Sequence, residues 1–280
     1  MSPNTLKSIK SYYNARAPSY DTETNFHPYQ ASDYLHWISP KAGMHILDLA
    51  CGTGAITLPL KRAVGPTGRV VGADISDVSL GIARSKAVDE GLEIEWVEGD
   101  ISTIHTVQGI QEGGFDVVSC AAALVLLKEP GTAVREWARL LKPGGMLITD
   151  VLTGDTMVRG ILLDRVAEEL GVETVHSRVK LDSGEKVMGL LSGAGLDGGE
   201  SFLTKSYAET KYLDVEKAGE MFDALFEETS VLRTWYAELV VPSRREKSKE
   251  IFEREMKKLA GPDGKVVEYV RFHMAIGRKV

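Results

Sequence analysis

The 280-residue sequence has few cysteines, little positive charge and no long apolar run. Its two cysteines, Cys51 and Cys120, form no CxxC spacing, so we expect neither disulfides nor a metal site, and a reduced, cytoplasmic setting fits best. The longest apolar run, 117–127, has eleven residues, whereas a bilayer-spanning helix needs about 20. A membrane span is therefore not expected, nor is a secretory signal at the N-terminus.

Positive charge is also in deficit. The chain has 33 Lys and Arg residues against 40 Asp and Glu, which gives a formal net charge of −7. Binding to a phosphate backbone depends on cationic side chains, so a nucleic acid partner is not expected. With 43% hydrophobic residues the chain can nevertheless bury a full core.

Short apolar runs that end in a turn or an acidic residue predict buried parallel strands. They are 45–49, 70–73, 115–119 and 146–149, with a weaker run at 94–97. Helical patterns between them predict βαβ units and a doubly wound sheet. Two further strands are predicted later in the chain, at 201–212 and, as a closing antiparallel strand, at 266–276.

The sequence ILDLACGTG at 46–54 is an apolar strand that runs into a loop of small residues. Such a loop lets a ligand approach the backbone closely. Asp74 ends the second strand, twenty residues beyond Gly54, and Asp100 follows the third. Because the carboxyl ends of parallel strands meet at one edge of a sheet, these carboxylates are predicted to converge on one nucleoside-like ligand.

The charge around the loop indicates which ligand this is. The phosphate-binding pattern GxxxxGK[ST] is absent, and Thr57 replaces the third glycine of GxGxxG. Asp48 flanks the loop instead. S-adenosylmethionine (SAM) carries an ammonium and a sulfonium but no phosphate, so it suits an acidic loop better than a phosphorylated nucleotide does.

Five motifs in order resemble those of class I SAM-dependent methyltransferases. They are ILDLACGTG, GADIS (72–76), EGDIS (98–102), FDVVSC (115–120) and RLLKPGGMLITD (139–150). YYNARAPSYD at 12–21 also resembles the YD-x-x-A-x-x-YD motif of the ubiquinone and menaquinone branch. The resemblance implies an α/β, doubly wound, Rossmann-like fold: a mainly parallel seven-stranded sheet with an antiparallel last strand and a helical cap. It implies SAM as cofactor and S-adenosylhomocysteine as product.

The resemblance also implies which residues bind the cofactor. Gly52 and Gly54 would pass over the methionine part of the cofactor, and Asp48 would hold the loop or the ammonium. Asp74 would bind the ribose hydroxyls, and Asp100 would reach the adenine edge. Ala50 stands where the family often has glycine. The full set is Tyr13, Tyr20, Asp48, Ala50, Gly52, Gly54, Asp74, Ile75, Asp100, Ile101 and Cys120.

We expect a single domain, 1–280, with a helical cap at 1–40, a SAM-binding core at 41–150 and a helical insertion at 213–260 that forms a lid over the acceptor. The insertion lengthens the chain beyond the compact quinone enzymes. It therefore favours another small-molecule acceptor, of the kind methylated in secondary metabolism. The chain could act as a monomer or a homodimer.

Methyl transfer from a sulfonium is an in-line displacement, and acceptor atoms O, S, N and C all stay open. A protein base is needed only if the acceptor must lose a proton. No motif singles one out, and the weak candidates are His27, His36, Tyr20 and His176. The alternatives are a quinone-type C-methyltransferase, an NAD-dependent oxidoreductase, and a catalytically silent SAM-fold protein that binds a ligand or guides a pericyclic reaction.

Overall fold

A computed structural model describes residues 3–23, 26–173, 181–227 and 232–280. The helices are α1 (Pro3–Arg16), α2 (Tyr20–Glu23), α3 (His27–Ile38), α4 (Thr57–Val64), α5 (Asp77–Asp89), α6 (Pro130–Leu140), α7 (Val158–Glu169), α8 (Gly184–Gly193), α9 (Ala218–Ala224), α10 (Leu232–Trp235) and α11 (Arg245–Leu259). The strands are β1 (His45–Leu49), β2 (Arg69–Asp74), β3 (Glu95–Glu98), β4 (Phe115–Cys120), β5 (Leu141–Leu152), β6 (Leu196–Leu203), β7 (Lys211–Asp214), β8 (Lys265–Glu268) and β9 (Phe272–Lys279).

Seven strands form the main sheet, in the order β3-β2-β1-β4-β5-β9-β6. Strands β1 to β5 pair in parallel with their neighbours, while β9 pairs antiparallel with both β5 and β6. The strand order reverses direction between β1 and β4, so their carboxyl ends form the topological switch point. The predicted doubly wound sheet with an antiparallel last strand is confirmed.

Helices cover both faces of this sheet, which explains why its strands are apolar runs rather than alternating patterns. Ile46 of β1 points to one face and packs in a cluster with residues of α3 and α4. Its neighbour Leu47 points to the other face, in a cluster with residues of α6 and α8. Both side chains are fully buried.

The predicted closing strand at 266–276 is wrong in its extent, because the structure divides it into β8 and β9. Strand β8 pairs with β7 in a separate two-stranded sheet. Two residues between β8 and β9 donate their backbone N–H groups to atoms outside both sheets. Tyr269 N donates to Asp155 O at 3.0 Å, and Val270 N donates to Ser206 Oγ at 3.2 Å. The predicted strand at 201–212 divides likewise, into the end of β6 and the start of β7.

The described residues of 213–260 form most of a third apolar cluster, which also contains residues of α7. Phe222 and Phe252, both fully buried, pack edge to face there with ring centroids 5.5 Å apart. The insertion thus has an apolar core of its own that joins it to α7. Over the described stretches of the chain, no helix combines the length and apolar character that crossing a membrane demands.

Candidate active site

The loop after β1 places two glycines in the left-handed region, with different surroundings. Gly52 has φ +54°, and a Cβ built on it would meet no atom within 4 Å. Gly54 has φ +87°, and its added Cβ would lie 2.2 Å from Leu58 Cδ1. Gly52 therefore leaves room for a ligand, whereas Gly54 lets α4 pack closely on the loop. Ala50 adopts φ +54° as well, despite its side chain.

A cavity of about 750 Å³, including its mouth, lies over the carboxyl ends of the strands. It brings together eight of the predicted cofactor residues: Tyr13, Tyr20, Ala50, Gly52, Asp74, Ile75, Asp100 and Ile101. The remaining lining comes from residues that the sequence did not single out: Leu6, Ile9, Ser79, Gly99, Ala121, Ala122, Ala123, Leu126 and Leu127. Among the described residues around this cavity there is no Lys or Arg.

Asp74, at the end of β2, ties the glycine loop to the start of α5. Its Oδ2 accepts from Gly52 N at 2.8 Å, and its Oδ1 accepts from Ser76 N at 2.8 Å. The side chain is 7% exposed, and burial raises the pKa of the carboxyl although these backbone donors oppose the rise. An ionised carboxylate has about four lone-pair sites, so acceptor capacity remains toward the cavity.

The loop after β3 brings Asp100 and Ile101 to the cavity wall. Asp100 Oδ1 accepts from Ser102 N at 2.9 Å, which fixes the carboxylate close to its own backbone. The buried Trp137 of α6 donates from Nε1 to Ile101 O at 2.8 Å. A tryptophan of the core thus holds this loop in place.

Asp48 lies beneath the loop and is 1% exposed. Its Oδ2 accepts from Thr57 Oγ1 at 2.6 Å, and its Oδ1 accepts from Ser119 Oγ at 2.7 Å. Burial raises the pKa of this carboxyl to about 6, against the effect of the two hydroxyl donors. Asp48 does not line the first cavity, whereas Asp74 does, so the geometry favours loop support by Asp48 over contact with a ligand in that cavity.

Contacts of α2 hold the N-terminal segment over the site. Thr53 Oγ1 donates to Asp21 Oδ1 at 2.6 Å. Lys86 Nζ of α5 donates to Asp21 Oδ2 at 2.6 Å and to Thr53 O at 3.1 Å. The adjacent Tyr20 consequently lies against the cavity, where burial raises the pKa of its phenol to about 12.

A second cavity of about 430 Å³ adjoins the first. The two share the wall residues Tyr20, Ala50, Gly52, Ala121 and Ala122. The second cavity is lined in addition by His27, Gln30, Asp48, Cys51, Thr53, Ala55 and Ile56. The two cavities therefore lie side by side at the switch point.

Asp150 of β5 supports the shared wall. Its Oδ1 accepts from Ala122 N at 2.6 Å, where Ala122 has the left-handed φ of +53°. Its Oδ2 accepts from Gln30 Nε2 at 2.6 Å and from Tyr34 OH at 3.1 Å. Burial raises the pKa of this carboxyl to about 6. Asp150 ends the motif at 139–150, but the sequence predicts no role for it. Like Asp74, it follows an apolar run.

The structure does not bring every candidate to these cavities. Gly54 packs against Leu58, and Cys120 is fully buried, with its carbonyl oxygen accepting from Tyr34 OH at 3.0 Å. His36 is exposed and contacts the edge of Trp37. His176 lies outside the described residues. Of the weak catalytic candidates, His27 and Tyr20 remain at the site.

Residues 46–145 match a protein family described as a methyltransferase domain. A demethylmenaquinone methyltransferase of Lactococcus lactis is 38% identical over 107 residues, and a ubiquinone/menaquinone biosynthesis C-methyltransferase of Pseudomonas putida is 37% identical over 110. These matches span 38% and 39% of this chain and 41% of each relative. The solved structure of the YcgJ protein from Bacillus subtilis superposes with a TM-score of 0.55 at 17% identity, covering 90% of this chain and 98% of that one.

The comparisons confirm the resemblance to class I SAM-dependent methyltransferases, including the branch of the quinone enzymes. The matched segment contains β1 to β4, α4 to α6 and the first residues of β5. It therefore covers the strands and loops that surround the first cavity but leaves out the N-terminal segment and residues 213–260. The chain matches about two fifths of the length of these relatives.

Proposed function

We propose that this chain transfers a methyl group from SAM to a small-molecule acceptor. The observation that carries the proposal is the pair of adjoining cavities at the switch point, with Tyr20, Ala50, Gly52, Ala121 and Ala122 in the wall between them. One cavity offers a ribose-binding carboxylate and apolar side chains for a nucleoside. The other offers a small, partly polar chamber for the acceptor.

The lining of the first cavity fits the chemistry of SAM. Asp74 would accept from the ribose hydroxyls with the lone pairs that Gly52 N and Ser76 N leave free. Ile75 and Ile101 would cover the adenine, and Tyr13 would close the site from α1. Since no Lys or Arg is present among the described lining residues, a phosphate-bearing dinucleotide would find no cationic partner there.

SAM supplies a methyl group already activated by a sulfonium. The chain's own task is then to hold the acceptor atom in line with that methyl, about 3–3.5 Å away, and to keep water out. The Asp150 carboxylate fixes Ala122 in the wall where the two compartments meet, and the Asp21–Lys86 contact keeps α2 closed over them. These contacts preorganise the site without any covalent role for the protein.

Carbon methylation of a quinol ring is a second candidate, favoured by the two relatives named above. The alternative is an unrelated acceptor of secondary metabolism, and the helical insertion favours this alternative.

We propose that the chain is one domain, with 1–40 as the cap and 213–260 as the lid. None of the described residues in 213–260 lines either cavity, but Trp235 packs on Tyr12 at a ring-centroid distance of 4.6 Å, and Tyr12 contacts Tyr13.

Calorimetric titration with SAM, S-adenosylhomocysteine and NADH tests the cofactor assignment, with Gly52→Ala as the site variant. We expect binding of the first two ligands and none of NADH; the reverse preference would favour the oxidoreductase alternative. Incubation with SAM and 1,4-dihydroxynaphthalene, or with a panel of phenols, thiols and amines, then tests transfer. Binding of SAM without S-adenosylhomocysteine formation from any acceptor would favour the silent SAM-fold alternative.

A further inference from the structure

The second cavity contains a nitrogen atom whose hydrogen-bonding capacity is unused. His27 is the first residue of α3, and its Nε2 is buried without a hydrogen-bond partner among the described residues. Leaving such an atom unpaired destabilises the protein, because the atom loses its bond to water and gains no other partner. A buried unpaired nitrogen in a cavity wall therefore indicates a ligand that supplies its partner.

Aromatic neighbours hold the His27 ring in place. The imidazole stacks on Tyr20 with ring centroids 4.6 Å apart and planes 17° from parallel. It also packs on Phe26 at 4.2 Å and 46°. Tyr20 belongs to the wall shared by the two cavities, so the ring is fixed beside the place where cofactor and acceptor meet.

Gln30 determines which ring nitrogen carries the proton. Gln30 Nε2 donates to Asp150 Oδ2 at 2.6 Å, so its amide nitrogen is oriented toward that carboxylate. The Gln30 side chain also hydrogen-bonds to His27 and raises the pKa of the imidazole, as an acceptor of a ring N–H does. Since Nε2 has no partner among the described residues, the tautomer that fits these contacts has its N–H on Nδ1 and its lone pair on Nε2.

We propose that His27 is a catalytic residue, whose Nε2 accepts the proton that the methyl acceptor loses, and that Gln30 and Asp150 are its positioning residues. The inference rests on the proposed methyl transfer. As the acceptor atom bonds to the methyl carbon, its bond to hydrogen breaks and the proton moves to Nε2. The carbon–sulfur bond breaks with its electron pair left on sulfur, and the imidazolium later releases the proton to solvent.

The surroundings keep this base neutral at physiological pH. Burial, aided by the positive charge of Arg16, lowers the pKa of His27 to about 4, while the carboxylate of Asp21 and the bond to Gln30 oppose the shift. The stacked phenol of Tyr20 stays protonated in this range. Nε2 therefore has its lone pair free above about pH 5, and activity should fall as pH drops toward 4.

Nitrogen-15 NMR of histidine-labelled protein tests the tautomer without any turnover. At pH 7 we expect the His27 signals of an Nδ1–H tautomer with an unprotonated Nε2. In Gln30→Met, which removes the acceptor at similar volume, the tautomer preference should be lost. Finding Nε2–H or a doubly protonated ring in the wild-type chain at this pH would overturn the proposal.

Kinetics with two probe acceptors test the role in transfer. For 1,4-dihydroxynaphthalene, His27→Gln should lower kcat by about 100-fold or more. For thiophenol, which is largely ionised at pH 8 and needs no base, the loss should be under about threefold, because only the proton-transfer contribution is removed. His36→Gln, the same change on the exposed side of α3, is the matched control and should leave both rates unchanged.

An equal loss with both acceptors, or no loss with either, would refute a proton-accepting role. Unchanged melting temperature and SAM affinity in His27→Gln would separate a catalytic effect from misfolding. If the wild-type chain methylates neither probe, the proposed transfer to acceptors of these kinds fails. The NMR result then still decides the state of His27 by itself.

Discussion

Two glycines only two positions apart should respond to the same substitution in different ways. Gly52→Ala adds a methyl group that meets no protein atom within 4 Å, so it projects into the space assigned to the cofactor. Gly54→Ala adds a methyl group 2.2 Å from Leu58 Cδ1 and 3.4 Å from Ala83 Cβ. We therefore expect the first variant to lose cofactor affinity and the second to lose stability.

The magnitudes follow from these surroundings. Both substitutions place alanine in the left-handed region, which costs about 1–2 kcal/mol, partly offset by about 0.4–1 kcal/mol of reduced unfolded-state entropy. Gly54→Ala adds an overpacking cost of about 1–3 kcal/mol, because Leu58 is itself buried. For Gly52→Ala, losing one backbone contact to the cofactor, about 1.4 kcal/mol, means roughly tenfold weaker binding.

Thermal unfolding and calorimetric titration with S-adenosylhomocysteine measure both quantities on the same samples. Gly54→Ala should melt about 2–12 °C lower than Gly52→Ala, and Gly52→Ala should bind the ligand about ten times more weakly than the wild type. Normal affinity in a folded Gly52→Ala protein would refute the claim that the cofactor passes this backbone. Ala50, which already adopts φ +54°, shows that the loop can accommodate a side chain at that φ.

Two other carboxylates provide further tests. Asp74→Ala should weaken SAM binding by about 1–3 kcal/mol, measured by titration against the exposed control Asp89→Ala; unchanged affinity would rule out the ribose assignment. Because burial raises the pKa of Asp150 from 3.8 to about 6, this group favours the folded state at low pH and loses that contribution as pH rises between these values. Between pH 5 and 7.5 the unfolding free energy of the wild type should therefore fall by on the order of 1 kcal/mol more than that of D150N. Urea denaturation at several pH values measures this difference. Parallel pH profiles of the two proteins would contradict the raised pKa.

The sequence predicted β1, β2, β4 and β5 well because most residues of these four parallel strands are buried, on both faces of the sheet. A run such as 45–49, which is apolar except for His45 and Asp48, matches β1 residue for residue. The region 266–276 misled the same reasoning, since its alternation continues through Tyr269, whose N–H bonds to Asp155 O instead of a strand. An alternating pattern predicts which side chains are buried, but it does not predict the partners of the backbone hydrogen bonds.

The site residues likewise include some that the sequence could predict and some that it could not. Asp74 and Asp100 were predictable because Asp74 ends β2, Asp100 follows β3 by two residues, and each lies within a recognisable motif. Asp150 gave the same local signal, but its importance depends on Gln30 and Ala122, which are 120 and 28 residues away. Leu6 and Ile9 could not be predicted as cavity residues at all, because only the docking of α1 brings them there.

Three buried carboxyl groups of this acidic chain lie near the two cavities. Asp48, Asp74 and Asp150 lie on three parallel strands of one sheet, and burial raises the pKa of all three carboxyls. The described residues that line the two cavities include no Lys or Arg. Buried carboxylates without a cation destabilise the fold when they ionise, so they are retained here at a cost to stability. A ligand that brings its own positive charge, as SAM does through its ammonium and sulfonium groups, offsets that cost, whereas a phosphate-bearing cofactor would increase it.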